Sequence, residues 1–540
     1  MSLCALSSQC VRENDSFAPL GLVCFPIFPR LAPWASLFRR FAAGKLKVSF
    51  QCDAKFQVLS HTHSARLRDR SFKRKARRGR RGTLADSGSL PASIILPMSP
   101  FDANRDKLSI EMRVTARHLF EHALEESGVD RAFERHVVCE RGVLRICEDL
   151  YDLHSYSHVF AVAIGKAAHT LAYALTMQAG DQFEGIVASS VEASAQRRGF
   201  RYFCGGHPTP NQESIRAADA ILKSLNAQNA STLLIFMLSG GGSSIVEKPI
   251  DDEISLEDLI ATYRVLVHSG APIAEINAIR KHLSSIKGGR LAQAAYPAQQ
   301  VSILVSDVPD NTPDALASGP TMPDSTSVED CHRIAAKYGL IEQFPESVRE
   351  LFQRHALEET PKSDDPAFHR SRWWTVLSNA SLIEDCKLEA ERNGFMVAVD
   401  NSCDDWDYVR GVDFLLGRLR ELRKNSERVC LISGGEVTVK VTNGGIGGRN
   451  QQFVLACAEK IAGQNVTVLS AGTDGIDGNS PAAGAIADGT TIERSQARGV
   501  DAPAHLSGFN AYPFFDALGD TIVTGPTGNN LRDLRVLLAY

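Results

Sequence analysis

No stretch of this 540-residue chain approaches the roughly 18–20 uninterrupted apolar residues that cross a bilayer; Leu20 to Phe28 is short and broken by Pro26. That argues against an integral membrane protein. The 12 cysteines are scattered and no Cys-x-x-Cys pair occurs, which favours reduced thiols over a disulfide framework or a zinc site. The phosphate loop of nucleoside triphosphatases is absent, because Gly165-Lys166 is followed by Ala167 and preceded five residues back by Phe160. Neither does a Gly-x-Gly-x-x-Gly follow a strand: Gly445-Ile446-Gly447 fails at Asn450, which weakens a dinucleotide-dependent reading. No repeat of 20–50 residues is present.

Charge is present but divided. The formal net charge of −4 hides a leader, residues 1–95, with 17 Lys/Arg against 5 Asp/Glu, and a body with 42 basic and 58 acidic residues. An acidic body disfavours nonspecific nucleic-acid binding, which runs on neutralising phosphates with many cations. The leader, 1–96, carries scattered Pro and Ser and a cationic cluster from Arg66 to Arg81. It reads as disordered: an organelle transit peptide, a nucleic-acid tail, or sequence upstream of a start at Met98. The body is then cytoplasmic, or mitochondrial or plastid if the leader is a transit peptide.

From Ser109 to Leu124 the apolar residues Ile110, Val114, Leu119, Phe120 and Ala123 recur at near-helical spacing, with Gly128 as a stop. Short unbroken apolar runs follow: Val159 to Ile164, Ile186 to Ala188, Leu233 to Leu238, Val301 to Val305, Val429 to Ile432 and Val466 to Leu469. Runs of that length belong to sheets covered on both faces. Between them lie helix-period segments, among them 215–225, 256–267, 273–286, 382–393 and 453–462. Strand-helix alternation means α/β layers. The polar interval from Glu346 to Pro366 is the expected boundary, giving one domain over 105–345, a linker over 346–371 and a second domain over 372–540.

In open α/β sheets ligands bind beyond the carboxyl ends of strands, so the residues after each apolar run carry the chemistry. Ser239-Gly240-Gly241-Gly242-Ser243-Ser244 lets backbone N–H groups converge on an anion without Cβ interference, with phosphate as the natural guest. Lys166 at another strand end sets an ammonium beside phosphoryl oxygens. Arg449, after Gly444-Gly445-Ile446-Gly447-Gly448, offers a planar fork for a carboxylate or phosphate. Asp474 and Asp477 in one loop, with Asp307 and Asp310 in another, supply hard oxygens for Mg²⁺ and candidates for a catalytic base. Arg280, Lys281, Lys287 and Arg290 form a cationic face from which a side chain could reach an anionic ligand. His207 reads as a loop histidine packed on its neighbours.

Taken together, Ala163 to Ala168, Gly206 to Asn211, Leu238 to Ser244, Glu275 to Leu291, Ser306 to Pro320 and Ser433 to Glu436 resemble the class II glycerate kinases. The likeness continues through Gly447 to Gln451, Ala471 to Gly478 and Thr524 to Asn530, which resemble that family's C-terminal domain, named for a multi-organism fragment rich in leucine (MOFRL). The resemblance implies a Rossmann-like three-layer N-terminal domain, a smaller C-terminal α/β domain and an active-site cleft between them. It implies ATP-dependent phosphorylation of D-glycerate with Mg²⁺, C2 favoured, and leaves a homodimer open. Lys166 matches the family's active-site lysine, and Ser239 to Ser244 its phosphate cradle. Arg449 and Asp474 are expected in the cleft, Arg449 or Arg290 to grip the substrate carboxylate, Arg290, Lys287 and Asn450 to contact the acid, and Asp474 with Asp477 to hold the metal. Asp307 or Asp474 accepts the hydroxyl proton. Two other readings stay open: an oxidoreductase of hydroxypyruvate-reductase type and a noncatalytic nucleotide-binding protein.

Overall fold

An apolar run with no polar alternation can be a strand only if helices cover both of its faces, and that is the arrangement found. The computed structural model describes residues 100–540 apart from 181, 182 and 443, so the leader and its expected roles lie outside the described residues. Three short strands, β1 (Val137–Glu140), β2 (Val143–Ile146) and β3 (Asp149–Asp152), form an antiparallel meander. The chain then enters β4 (His158–Ile164), β5 (Glu184–Ser189), β6 (Phe200–Cys204), β7 (Thr232–Ser239), β8 (Gln299–Val305) and β9 (Ser371–Leu377). These six lie in the order β6-β5-β4-β7-β8-β9, all parallel. The sheet is doubly wound and its order reverses between β4 and β7, the place where such sheets open a crevice.

Burial on both faces follows the period-two alternation of strand side chains. Ala161 and Ala163 share a core with Leu171 and Leu175 of the helix Ala168–Ala179. Val162 and Ile164 share the opposite core with Ala217 and Ile221 of the helix Gln212–Leu225, whose first turn is tied by the Asn211 capping box. These are the three expected layers.

The second sheet comprises β10 (Met396–Val399), β11 (Val429–Gly434), β12 (Val466–Gly472), β13 (Gly484–Asp488), β14 (Thr521–Ile522) and β15 (Asp533–Ala539). Its order is β10-β11-β15-β12-β13-β14, and only the β10–β11 pairing is parallel. Its two faces carry helices Tyr408–Arg423 and Arg449–Ile461 on one side and Asn379–Arg392 on the other.

The chain partitions differently from the expectation in three respects. The helix Pro100–Glu126 packs with the second sheet, not the first: Leu119 and Phe120 share a core with Leu382, Ile383 and Val536. Its buried face is Met112, Ala116, Leu119, Phe120 and Ala123, while Ile110 and Val114 are exposed. The expected linker is folded, since Val348, Leu351 and Phe352 of the helix Glu346–Gln353 enter a helical core with Leu259 and Ile279. The sheet boundary therefore falls after Leu377, because β9 extends the first sheet alongside β8. The helix expected over 273–286 stops at His282, where Leu283 to Ser285 leave it to bond Lys248 and Ile250. None of the described helices is long and apolar enough to cross a membrane.

A candidate active-site cleft

The residues after β4 and β7, on either side of the order reversal, are laced together by the backbone. The Lys166 N–H donates to the Gly240 carbonyl (2.9 Å) and the Ala167 N–H to the Ser239 hydroxyl (3.0 Å). Two glycines admit neighbours that no other residue would. A Cβ on Gly240 would stand 2.0 Å from the Asp307 carboxylate, and one on Gly241, whose φ is +82°, would lie 2.9 Å from the His207 ring. Asp307 follows β8 and His207 follows β6, so four strand ends converge on one loop. Among the described residues, the N–H groups of Gly241, Gly242 and Ser243 meet no protein acceptor. The Ser243 and Ser318 hydroxyls bond each other (2.9 Å).

The electrostatics of the loop match an anion's needs. Lys166 is exposed at this edge and forms no ion pair among the described residues. Burial pushes the Asp307 carboxyl above its ordinary value, against the pull of Lys166 and Arg532. Partial burial and the Lys166 ammonium hold His207 below its ordinary value and hence neutral near pH 7. The sequence reads His207 as a packed loop residue; no apolar run marks β6 (Phe200–Cys204) ahead of it, so its place at a strand end is visible only in the structure.

The second sheet supplies the facing wall. β11 and β12 both run antiparallel to β15 between them, so their carboxyl ends and the start of β15 share an edge. From that edge Asp474 joins Lys166, Ser239 and Gly240 around a cavity of about 450 Å³, with Ile476 and Asn530. Asp474 spends one oxygen on the Ile476 N–H (3.1 Å). Among the described residues no group of three or more His, Cys, Asp or Glu is arranged to hold a metal. A cation bound mainly through phosphate oxygens needs only one or two carboxylates, and Asp474 fits that part.

Other expected site residues are engaged elsewhere. Arg449 grips buried Asp533 with two bonds (2.6 and 3.0 Å) and Glu436 with a third contact (2.8 Å), so its fork is filled by the protein. It lines a second cavity of about 410 Å³, separated from the first by the 474–478 loop: Asp474 and Ile476 face one, Gly478 the other. Asp477 is not available to a metal, because its two oxygens accept the N–H groups of Asn450 (3.1 Å) and Gln451 (2.9 Å) at the start of the helix Arg449–Ile461. Burial pushes its carboxyl up to about 7. Asn450 is buried, bonding Asp477 and Ser470. Lys287 is buried against Glu247, and Arg290 lies beside Glu358 with its Nη2 on the Glu358 and Glu359 carbonyls. Neither lines the cleft cavity. Asp310 is exposed. Arg532, absent from the sequence reading, forms a two-bond pair with Asp404 (2.7 and 2.8 Å) and bears on Asp307.

Comparison with known proteins agrees with this architecture. Residues 115–353 match a domain of unknown function, DUF4147, and residues 429–533 match the MOFRL family. A D-glycerate 2-kinase of Thermotoga maritima is 35% identical over 385 residues, 70% of this chain and 89% of the relative. A protein of Agrobacterium vitis provisionally named hydroxypyruvate reductase is also 35% identical, over 70% of this chain and 86% of its own. The crystal structure of a Thermotoga maritima glycerate kinase superposes with a TM-score of 0.70 at 32% identity, covering 80% of this chain and 100% of that one. The chain belongs to the glycerate kinase family that carries a C-terminal MOFRL domain.

Proposed function

We propose that the chain transfers the γ-phosphoryl group of ATP to a hydroxyl of D-glycerate, the C2 hydroxyl by analogy with the relative named D-glycerate 2-kinase. The observation that carries this is the unpaired Lys166 ammonium beside the open N–H groups of Gly241 to Ser243, facing Asp474 across one cavity. Phosphoryl transfer asks a protein mainly to position the reactants and to hold charge. Lys166 and the loop N–H groups hold the phosphoryl oxygens. The glycerate hydroxyl oxygen bonds to the γ-phosphorus as its bond to the ADP oxygen breaks, and ADP leaves. The hydroxyl proton passes to Asp307, whose raised pKa suits it as a base. Asp474 would hold Mg²⁺, which neutralises phosphate charge when bound.

The provisional naming of the Agrobacterium relative motivates a second reading, reduction of hydroxypyruvate. It requires a nicotinamide cofactor, and no Gly-x-Gly-x-x-Gly loop opens the helix after β4. Phosphorus NMR of the full chain with ATP and D-glycerate tests both. The kinase reading expects ADP and a 2-phosphoglycerate resonance; a 3-phosphoglycerate resonance would move the site of attack. NADH oxidation with hydroxypyruvate and no ATP would overturn the reading in favour of the reductase, and ATP binding without ADP formation would leave a binding protein.

A further inference from the structure

The four cations at 280–290 have different fates. Lys281 pairs with Asp314 (2.9 Å) and Asp324 (3.2 Å), Lys287 with Glu247, and Arg290 with Glu358. Arg280 has no acid. Its guanidinium lies 4.6 Å from the Tyr263 ring centroid, and its Nε is sealed from water without an acceptor. Lys287 approaches the same ring at 5.6 Å. The carboxylate of this group is Glu247, and it is fully used: it accepts the Tyr263 hydroxyl (2.6 Å), the Ser284 hydroxyl (2.6 Å), the Lys248 N–H (3.0 Å) and the Lys287 ammonium. Two cations thus meet one anion. Arg280 is half-buried with its Nε sealed off and no acid beside it, and an anion delivered from solution would supply the missing partner.

The space for such an anion is present. Arg280 and Arg264 line a cavity of about 260 Å³ with Tyr263, His268 and the Pro208–Pro210 turn, and among the described residues no carboxylate lines it. The volume is below the usual range for nucleotide-sized ligands, roughly 300–1,000 Å³. The turn continues directly into His207, whose ring packs on Gly241 of the cradle. We propose that this cavity is an oxyanion site in which the Arg280 fork, held over the Tyr263 ring, binds the carboxylate or phosphate of a three-carbon acid. The site stands on charge and shape alone; that its ligand is glycerate rests on the kinase reading. Glycerate's own carboxylate and a second, separately bound acid share this chemistry.

Thermal unfolding of the full chain with sodium D-glycerate or sodium phosphate, against sodium chloride at equal ionic strength, tests the site in wild type, Arg280→Met, Arg280→Lys and Lys166→Met. Wild type gains Tm with the oxyanion. Arg280→Met loses most of that gain while its Tm in chloride falls little, since no ion pair among the described residues is broken. Arg280→Lys keeps a reduced gain, retaining charge but not the fork, and serves if the methionine variant does not fold. Lys166→Met keeps the share of the gain that Arg280 supplies, since Lys166 lines the cleft cavity and not this one. No gain in wild type, or an equal gain in Arg280→Met, overturns the proposal. A glycerate KM raised about tenfold or more in Arg280→Met with the ATP KM unchanged assigns the anion to the substrate. An unchanged glycerate KM with the thermal gain lost assigns it to a second acid. Failure of the kinase reading is seen separately, as absence of ADP from wild type.

Discussion

The chain contains two glycine-rich loops that look alike in sequence, each with a basic residue nearby, and the structure uses them in opposite ways. At Ser239 to Ser244, among the described residues, the N–H groups of Gly241, Gly242 and Ser243 meet no protein acceptor and Lys166 has no acid partner. At Gly444 to Gly448 the protein supplies its own acceptors, two amide oxygens and two carboxylates. Asn510 takes the Ile446 N–H (2.9 Å), Asn479 the Gly447 N–H (2.8 Å), Asp477 those of Asn450 and Gln451, and Asp533 the Arg449 fork. Glycine in a loop allows close approach; whether a ligand or a side chain makes that approach depends on residues far away in sequence. The first loop thereby keeps free donors, as the proposed phosphate cradle requires, while the donors of the second are taken up by the protein's own side chains.

The largest expected difference comes from removing the two cations. Lys166→Met should lower kcat by a factor of about 10²–10³, the scale of one electrostatic contact to developing charge, with circular dichroism and Tm unchanged. Near-normal turnover would remove Lys166 from the mechanism. Arg449→Met should do the reverse, lowering Tm because buried Asp533 loses its partner. Breaking a buried pair costs about 3 kcal/mol, but Arg449 is 38% exposed and water offsets part of that. Equal thermal losses in the two variants would erase the contrast.

A single methyl group at each loop gives the next largest effect. Gly240→Ala drives a Cβ toward the Asp307 carboxylate, displacing the proposed base, and kcat/KM should fall by about 10² with little change in Tm. Gly448→Ala drives one to within 2.2 Å of Asp477 and should act on stability, because that carboxylate ties down the helix Arg449–Ile461. Steady-state kinetics beside thermal unfolding separates the two.

These contrasts mark where the sequence was legible. Each of the six short apolar runs became a strand, because a run of three to six mostly apolar residues ended by small or polar ones has few other fates in an α/β chain. Lys166, Asp474 and the Ser239–Gly240 end of the cradle could be found from their places after strands, and they line one cavity. Partnership was invisible. That Asp533 fills Arg449, Glu247 neutralises Lys287 and Asp477 ties a helix follows from contacts across 84, 40 and 27 positions, which no local pattern reports. Helix Pro100–Glu126 misled for a related reason: Ile110 and Val114 fit the spacing, yet Met112 and Ala116 are the residues that meet the second sheet.

The pH dependence sharpens the first loop's side of the contrast. Asp307 holds its proton to higher pH than an ordinary aspartate, near 3.9, because of burial, so the acid limb of kcat/KM should lie above that value. Lys166 lowers the Asp307 pKa, so the residual activity of Lys166→Met should show its acid limb moved to higher pH. A limb unmoved in that variant would mean that the titrating group is not Asp307.

The smallest effect belongs to the second loop and has the opposite readout. Burial holds the Asp477 carboxyl at about 7, above the value near 3.9 of an unfolded chain, although two backbone N–H groups pull it down. The native state therefore binds this proton more tightly than the unfolded state. The stability so gained is complete below about pH 4 and is lost as pH rises toward about 7. Asp477→Asn cannot titrate. Its Tm should be lower than wild type at acid pH, since the amide group cannot accept the second N–H, and the gap should narrow as pH rises through that window. A gap that instead widens with pH would mean that the helix N–H groups outweigh burial, and that Asp477 serves the helix as a fixed anion.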